Sequence, residues 1–209
     1  MYKLIAFDMD GVIFDTRNFW IELHKAYGTL EEGKKLTEKY LATDYDRLKY
    51  EVVETLWKGK DAQPFLDLIK NIKYMRGVKE TFEHIHKKGL ITAIISSSAI
   101  DVARRVQNDH GVDHLYANDL IVRDGKLAGI FNSPVAAGGE HKAKILRDLC
   151  SDIGIDLAET IYVGDSNMDV APAKIAGMAI AFNSKNDELR TAATHIVDGK
   201  DLSKIIPLI

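Results

Sequence analysis

The sequence predicts an α/β fold in which a parallel sheet carries helices on both faces and a small helical cap is inserted after the first strand. Three observations support this fold class. Short apolar runs recur along the 209 residues, and helical patterns of ten or more residues separate most of them. The alternation breaks once, between about residues 16 and 75. The runs are "KLIAFD", "LITAIIS", "TIYVGD", "MAIAF" and a weak "THIVD".

The segment that breaks the alternation predicts a separate domain. Its apolar residues recur every three or four positions, which is the period of a helix. An ordinary crossover connection is the alternative, but about sixty residues is much longer than such a connection needs. We therefore predict a helical cap domain over residues 16–75 and an α/β core domain over residues 1–15 and 76–209.

The sequence after the second run predicts a helix, a hairpin and another helix. "SSAIDVARRVQNDHG" is typical of a helix that ends at Gly111. In "LYANDLIVRDGKLAGIF", the pair Asp124-Gly125 predicts a hairpin turn. "EHKAKILRDLCSDIG" predicts the next helix, which ends at Gly154.

Composition narrows the possible partners and the compartment. A net charge of −3 and a pI of about 6.2 give no global attraction to nucleic acid or to an anionic membrane. The single cysteine, Cys150, cannot form an internal disulfide, which suits a reducing compartment. The N-terminus enters a strand at once, so no signal peptide is expected. We expect a cytoplasmic protein without a nucleic-acid or membrane partner.

Polar residues end three of the predicted strands. Asp8, Ser96 and Asp165 each close an apolar run, and Asp10 follows Asp8 by two residues. In an open parallel sheet the carboxyl ends of the strands form the ligand crevice. Because two neighbouring acids repel each other unless a cation shares the site, the spacing indicates metal chemistry.

A lysine and a further acid complete this set. Lys142 follows the loop "PVAAGGEH" at the start of a helix, and Asp169 lies one turn after Asp165. Lys144 is the alternative to Lys142. Mg²⁺ prefers oxygen ligands and is commonly bound by one or two carboxylates together with substrate phosphate, for which lysine supplies a point charge.

These motifs together resemble those of a known superfamily. "DMDG", the strand ending at Ser96, Lys142 and "GDSNMD" resemble, in this order, the four motifs of the haloacid dehalogenase superfamily. "YANDLIVRDGKLAG" and "GIDLAETIYVGD" are similar to its phosphoserine phosphatase-like branch. The resemblance covers about 150 residues and implies a Rossmann-like core. The cap is similar only in length and helical character.

The resemblance implies catalytic roles for four residues. Asp8 is expected to be the nucleophile that forms an aspartyl-phosphate. Asp10 is expected to protonate the leaving oxygen and then to activate water. Ser96 is expected to bind a phosphoryl oxygen, while Lys142 offsets the negative charge. The superfamily's dehalogenases lack an acid at the position of Asp10, so its presence implies phosphoryl transfer.

The resemblance also implies a Mg²⁺ site and a phosphate-binding turn. Asp8, Asp165 and the backbone carbonyl of Asp10 are expected to bind the ion, with Asp169 acting through water or through Lys142. Gly11 is expected to let the backbone turn beneath the phosphate. A backbone N–H of Ser97 or Ser98 is expected nearby. Met168 departs from the branch, which has asparagine there, and this change is expected to affect the metal site.

The cap also departs from the branch. Phosphoserine phosphatases recognise the amino acid with a cap glutamate and a cap arginine, and their positions correspond to Arg17 and Glu51. Both charges are thus reversed, although Glu22 and Arg47 are near enough to serve after a shift. This reversal argues against phosphoserine as the substrate. Arg17 is instead predicted to bind an additional anion of the substrate.

The sequence therefore predicts a Mg²⁺-dependent phosphatase that acts on a small phosphorylated metabolite through an aspartyl-phosphate. A phosphomutase of the same superfamily is one alternative, and a catalytically weak ligand-binding member is another. The oligomeric state is left open.

Overall fold

The computed structural model, which describes residues 1–136 and 138–209, contains a seven-stranded sheet of order β4-β3-β2-β1-β5-β6-β7. Every neighbouring pair is parallel except β3 and β4. The predicted α/β fold class is confirmed. The strands are β1 (Leu4–Phe7), β2 (Ile91–Ala99), β3 (His114–Arg123), β4 (Lys126–Asn132), β5 (Thr160–Gly164), β6 (Met178–Phe182) and β7 (His195–Val197).

Strand β1 lies at the centre of the sheet, between β2 and β5, and is buried on both faces. Its alternate side chains enter two different cores: Ile5 and Phe7 pack on one face, and Leu4 and Ala6 pack on the other. A strand covered on both faces has a continuous apolar sequence, which explains the run "LIAF". Cys150 is buried in the second core and is free of any disulfide.

The core helices follow the predicted alternation. The helix after β2 ends at Gly111, and the helix over residues 139–153 ends at Gly154, with both glycines in the left-handed region. Asp124 and Gly125 form the turn between β3 and β4, also with positive φ. The core helices are α5 (Val78–Lys87), α6 (Ile100–His110), α7 (Gly139–Ile153), α8 (Val170–Ile175) and α9 (Asp187–Ala192).

One strand end differs from the prediction. Strand β2 continues past Ser96 to Ala99, so Ser96 lies inside the strand and does not end it. The pairing with β3 changes register between Ile95 and Ala99, which is an irregularity of the kind that a β-bulge produces. Ser96, Ser97 and Ser98 lie in this irregular part of the strand. The apolar run before them does not reveal the irregularity.

Helices occupy the predicted cap segment. Their aromatic residues Phe19, Trp57 and Phe65 are each at most 2% exposed and belong to the same hydrophobic cluster as Ile5 and Phe7 of the sheet. One segment is a π-helix, which is rare and occurs often at functional sites. The helices are α1 (Phe19–Ala26), α2 (Leu30–Tyr40), α3 (Tyr45–Lys49), the π-helix (Tyr50–Trp57) and α4 (Gln63–Asn71). No helix in the described part of the chain is long and apolar enough to cross a membrane.

Two sets of backbone hydrogen bonds join this helical segment to the sheet. At the entry and exit, Met75 N–H donates to Ile13 O (2.8 Å) and Asp15 N–H donates to Lys73 O (2.9 Å). At the opposite side, the segment 59–62 pairs with the turn of the β3-β4 hairpin over residues 125–127. The helical segment is thus held along the hairpin and at its two connections to the core, residues 13–15 and 73–75, which are called the hinge below.

Arg105 of α6 reinforces the hinge. Its guanidinium donates to the carbonyl oxygens of Ile69 (2.9 Å) and Ile72 (2.8 Å) at the end of α4. The guanidinium carbon also lies 4.5 Å from the ring centroid of Tyr74. The backbone of Tyr74 forms an antiparallel β-bridge with Phe14 in the hinge. A cation at a helix C-terminus satisfies carbonyl groups that have no partner within the helix.

We expect the Arg105→Ala change to lower the free energy of unfolding by about 1 to 3 kcal/mol, because it removes two charge-assisted hydrogen bonds that join α4 to α6. Urea denaturation measures this loss. The neighbouring Arg104→Ala is the control, because Arg104 forms only an exposed pair with Asp101, which is worth about 0 to 1 kcal/mol. Equal losses in the two variants would show that Arg105 does not hold the hinge.

Candidate active site

The first part of the site is the turn that follows β1. Asp8 comes directly after the strand and is 7% exposed, and its Oδ1 accepts a hydrogen bond from Met9 N–H (2.7 Å). Gly11 has φ +78°, and a Cβ at this position would lie 2.1 Å from Asp165 Oδ2. Only glycine therefore lets the turn pass so close to Asp165.

Lys142 links the turn to α7. Its ammonium is 1% exposed and contacts Asp8 Oδ2 (2.9 Å) and Asp169 Oδ1 (2.8 Å). Lys144, the other candidate, is exposed and pairs with Asp148. The helical period explains this difference, because residues two apart point to different sides of a helix.

Asp169 holds Lys142 in place and is itself held by several donors. Its Oδ1 accepts a second bond from Tyr162 Oη (2.8 Å), and its Oδ2 accepts bonds from Ser166 Oγ (3.0 Å) and from the N–H groups of Asp165 and Ser166. Both carboxylate oxygens are thus occupied by protein donors. Asp169 thus contacts Lys142 directly, which is one of the two routes by which it is predicted to act, and its role stays a prediction.

Burial and neighbouring charges shift the pKa values of Asp8, Lys142 and Asp169 in opposite directions. Burial raises the pKa of Asp8, and the positive charge of Lys142 only partly offsets the rise. Burial lowers the pKa of Lys142, but the charges of Asp169 and Asp8 outweigh it, so the pKa lies above its usual range. Burial also disfavours the charged form of Asp169, yet Lys142 keeps its pKa below the usual value. Lys142 and Asp169 are therefore a stable ion pair.

Asp10 has the properties of a general acid. Burial raises its pKa to about 7, although the hydrogen bond from Phe19 N–H to its Oδ2 (2.7 Å) acts in the opposite direction. Its Oδ1 is buried and has no hydrogen-bond partner among residues 1–136 and 138–209. A carboxyl group with a pKa near neutrality can both donate and accept a proton at physiological pH.

Three serines, Ser96 to Ser98, lie in the irregular part of β2, and the Ser98 side chain is close enough to Asp10 to act against the rise of its pKa. Ser96 and Ser98 are each 2% exposed, and Ser98 N–H donates to Ser96 Oγ (3.3 Å). Ser98 Oγ is buried without a partner in the described part of the chain. The Ser97 carbonyl accepts hydrogen bonds from Trp20 Nε1 and Asn118 Nδ2.

Asp8, Asp165 and Asp169 form a cluster that can bind a metal ion. Each offers a carboxylate oxygen, and these oxygens lie within 4.8 Å of one another. Burial raises the pKa of Asp165 to about 8, and the negative charges of Asp8 and Asp169 add to the rise. Because the carboxylates outnumber the one buried ammonium, a cation would relieve this repulsion. Asp8 and Asp165 have more free ligand capacity than Asp169.

Arg17 lies apart from the cluster of Asp8, Asp165 and Asp169. It is exposed and lines an open cavity of about 520 Å³ together with Lys25 and Lys73. The next residue, Asn18, has an extended backbone (φ −166°), and its side chain caps α1 by accepting a hydrogen bond from Ile21 N–H. Among the described residues, neither Asp8 nor Asp10 lines this cavity.

The other predicted cap charges pair with one another. Glu51 forms a salt bridge with Arg47, and Glu22 forms one with Lys25 (2.8 Å). These pairs form within helices, between residues three or four apart. In this structure neither acid reaches the turn after β1 among the contacts of the described residues.

Comparison with known proteins decides the family. The model of the haloacid dehalogenase-like hydrolases matches residues 5–174. The chain belongs to this family. It is 30% identical to the phosphoserine phosphatase of Methanocaldococcus jannaschii over 99% of this chain and 97% of that one. It is 31% identical to the phosphoserine phosphatase of Saccharomyces cerevisiae over 98% of this chain and 66% of that protein.

Solved structures agree with this assignment to the haloacid dehalogenase-like hydrolases. A phospho-aspartyl intermediate analogue of a phosphoserine phosphatase superposes with a TM-score of 0.84 at 30% identity, covering 100% of this chain and 99% of that chain. A substrate-bound phosphoserine phosphatase complex gives 0.85 at 29% identity, with the same coverage. The predicted family and fold are confirmed.

Several residues of the site could not be identified from their sequence context. Tyr162 lies inside an apolar run and gives no sign that its hydroxyl contacts Asp169. Ser166 had a detectable signal, because Ser166 and Asp169 have the spacing of a capping box and form one in the structure. Trp20 and Asn118 reach Ser97 through long-range contacts, which local patterns do not reveal.

We expect the metal-free protein to lose stability between pH 6.5 and pH 8.5. The folded-state pKa values of Asp10 and Asp165, about 7 and about 8, lie above their usual 3.8, so the folded protein binds more protons than the unfolded chain. This contribution is present at low pH and is lost as the pH rises through the folded values, by about 1 kcal/mol per pH unit.

Urea unfolding in EDTA at several pH values measures the slope. The Asp165→Asn variant is expected to have a shallower slope, because one of the two groups is gone. Asp148→Asn is the control, since Asp148 is exposed and pairs with Lys144 far from this cluster. A slope of zero in the wild type, or one unchanged in Asp165→Asn, would contradict the assignment.

Proposed function

We propose that this chain is a Mg²⁺-dependent phosphatase that hydrolyses a small phosphate monoester through an aspartyl-phosphate on Asp8. The observation that carries the proposal is the pairing of two unlike carboxyl groups in one turn. Asp8 is held by a buried ammonium at 2.9 Å, while Asp10 has a pKa of about 7 and a buried Oδ1 that has no hydrogen-bond partner among the described residues. Groups whose environments separate their roles in this way are typical of acid–base pairs in enzymes.

In the first step, a carboxylate oxygen of Asp8 attacks phosphorus and the bond from phosphorus to the ester oxygen breaks. Protonated Asp10 gives its proton to that leaving oxygen, so the alcohol departs neutral. Lys142 offsets the repulsion between the anionic nucleophile and the phosphoryl oxygens. Ser96 donates its hydroxyl to one of these oxygens.

In the second step, water attacks the phosphorus of the aspartyl-phosphate. Asp10, now ionised, accepts a proton from this water, the bond between phosphorus and Asp8 breaks, and inorganic phosphate is released. Asp10 returns to its protonated form and Asp8 to its carboxylate form. The pKa of about 7 suits Asp10 to both roles, because neither form is far from its working range.

The residues of the site fit a Mg²⁺ ion. Asp8 and Asp165 would bind it, with the backbone carbonyl of Asp10 as a further oxygen ligand, while Asp169 remains bonded to Lys142. An all-oxygen donor set of this kind is the one that Mg²⁺ prefers. When bound, the ion supplies positive charge that neutralises phosphoryl oxygens. The roles of these residues are part of the proposal, as are those of Gly11, which lets the backbone turn beneath the phosphate, and of a backbone N–H of Ser97 or Ser98 near it.

The substrate is proposed to be a small phosphorylated metabolite, with phosphoserine as one candidate. Relatives named phosphoserine phosphatase match almost the whole chain. Against phosphoserine, the acids Glu22 and Glu51 are already paired within their own helices. Arg17, by contrast, has no ion-pair partner in the described part of the chain and is available for an anion.

We further propose that residues 16–75 act as a cap domain over the core and that the protein works in the cytoplasm. The hinge at Phe14 and Tyr74 supports the first proposal, because both connections of the segment lie there. The free cysteine supports the second, because it suits a reducing compartment.

The Asp8→Asn change is expected to abolish Mg²⁺-dependent phosphate release from a panel of phosphorylated metabolites, lowering kcat at least about a thousandfold, since the amide is not a nucleophile for phosphorus. A phosphate assay with and without Mg²⁺ measures this. Asp148→Asn is the control, because Asp148 is exposed and pairs with Lys144 on the surface of α7. Isomerised product without free phosphate would favour a phosphomutase instead, and no turnover by the wild type would favour a ligand-binding role.

The Arg17→Ala change is expected to raise KM about tenfold for esters that carry a second anionic group, because a charge-assisted hydrogen bond is lost. KM for p-nitrophenyl phosphate is expected to stay the same, because it has no such group. Lys25→Ala is the control, since Lys25 lines the same cavity but pairs with Glu22. Equal KM values for both ester classes in Arg17→Ala would exclude Arg17 from substrate binding.

A further inference from the structure

The backbone carbonyl of Ser97 is a point where the helical cap segment and the sheet meet. It accepts a hydrogen bond from Trp20 Nε1 (2.9 Å), which belongs to α1 of the cap segment. It accepts a second from Asn118 Nδ2 (2.8 Å), which belongs to β3 of the sheet. A carbonyl oxygen has two lone pairs, so both acceptor positions are filled.

This carbonyl controls the direction of the next N–H group. In a planar trans peptide the C=O of Ser97 and the N–H of Ser98 point in opposite directions. With the carbonyl held by Trp20 and Asn118, the N–H is aimed at Ser96 Oγ, at 3.3 Å. Ser96 Oγ is then the acceptor in this contact, so its own proton is free to point elsewhere.

The freed proton is the one that a phosphate-binding serine needs. Ser96 is 2% exposed, and its hydroxyl has no other hydrogen bond with the described residues. A hydroxyl that accepts from Ser98 and donates to a phosphoryl oxygen uses its proton without competition from the backbone. The orientation of one peptide thus decides whether Ser96 is ready to donate.

Asn118 is itself held firmly enough to act as the fixed support. It is completely buried, and its Oδ1 accepts a hydrogen bond from Val135 N–H (3.1 Å) in the segment that leads to α7. Because both ends of the amide are bonded, its orientation is defined. Trp20 is only half-buried, and its ring packs edge-on against Phe131 of β4 (5.3 Å).

We propose that Trp20 and Asn118 are positioning residues, which hold the Ser97 carbonyl and thereby orient the Ser96 hydroxyl toward the phosphoryl group. The bond from Trp20 makes this alignment depend on the position of α1, so the site is fully aligned only when the cap segment is docked. This inference deepens the proposed phosphatase function and rests on it.

The test combines turnover with binding. In the presence of Mg²⁺, kcat for p-nitrophenyl phosphate and the Kd of inorganic phosphate by calorimetry are measured for the wild type, Trp20→Phe, Asn118→Asp and Ser96→Ala. Trp20→Phe and Asn118→Asp are also combined with Ser96→Ala. Trp57→Phe is the control, because it removes an indole N–H that donates to Thr29 inside the cap segment and leaves Ser97 untouched.

Trp20→Phe is expected to lower kcat and weaken phosphate binding about fivefold each, the effect of one neutral hydrogen bond. Asn118→Asp is expected to lose at least as much, since a carboxylate oxygen replaces the donor. Neither change should weaken phosphate binding further in the Ser96→Ala background, because both act through the Ser96 hydroxyl. Trp57→Phe is expected to stay within about twofold of the wild type, although Trp57 is the more buried tryptophan.

Two results would overturn the proposal while leaving the phosphatase function intact. One is a loss from Trp20→Phe that is just as large in the Ser96→Ala background, and the other is an equal loss from Trp57→Phe. If Asn118→Asp does not fold, Trp20→Phe alone decides between these results and the expected one. A wild type that neither hydrolyses any ester nor binds phosphate would overturn the proposed function, and this proposal with it.

Discussion

The buried ammonium of Lys142 is the interaction on which the site depends. A charge that is 1% exposed is stable only with close partners, and here Asp8 and Asp169 lie at 2.9 and 2.8 Å. Asp169 in turn needs Tyr162 and the turn after β5 to satisfy its oxygens. The ends of β1 and β5 and the start of α7 must therefore come together before this charge can be buried. Loss of any partner would leave an uncompensated charge inside the protein.

The balance of buried charges also explains why the site favours a cation and a phosphate. Asp169 is neutralised by Lys142, so Asp8, Asp10 and Asp165 share too little positive charge. Their pKa values rise as a result of burial and mutual repulsion. A metal ion bound by Asp8 and Asp165 would make both anionic again, while Asp10 is held separately by the hydrogen bond from Phe19 N–H to its Oδ2. The proposed nucleophile and the proposed acid are both aspartates and thus differ because of their surroundings.

How far the sequence predicts this arrangement depends on the range of the contacts. Asp8 and Asp165 are predicted to lie together because parallel strands bring their carboxyl ends to one edge, a rule that needs only the order of strands and helices. Lys142, at the start of a helix, is predicted from its place in the order of the motifs. Ser96 was found as a polar residue near a strand end, but the irregularity that places it inside β2 was not. Periodicity predicted the helices of residues 16–75. It could not show that Arg17 turns outward, or that Trp20 and Arg105 bridge to distant backbone, because a helical pattern gives the buried face and not the partner.

The first turn of α1 joins the helical segment to the candidate active site through two hydrogen bonds. Asn18 caps the helix, so Phe19 presents its N–H to Asp10 while Trp20, the next residue, reaches Ser97. Two consecutive residues thus contact the proposed general acid and the part of β2 that follows the proposed phosphate-binding serine, Ser96. Movement of α1 away from the core would break both contacts together, since a helix moves as a rigid element. The contacts that hold the segment on the core therefore also hold Phe19 against Asp10 and Trp20 against Ser97. For the cap domain proposed above, docking on the core and alignment of Asp10 and Ser96 are then one structural event.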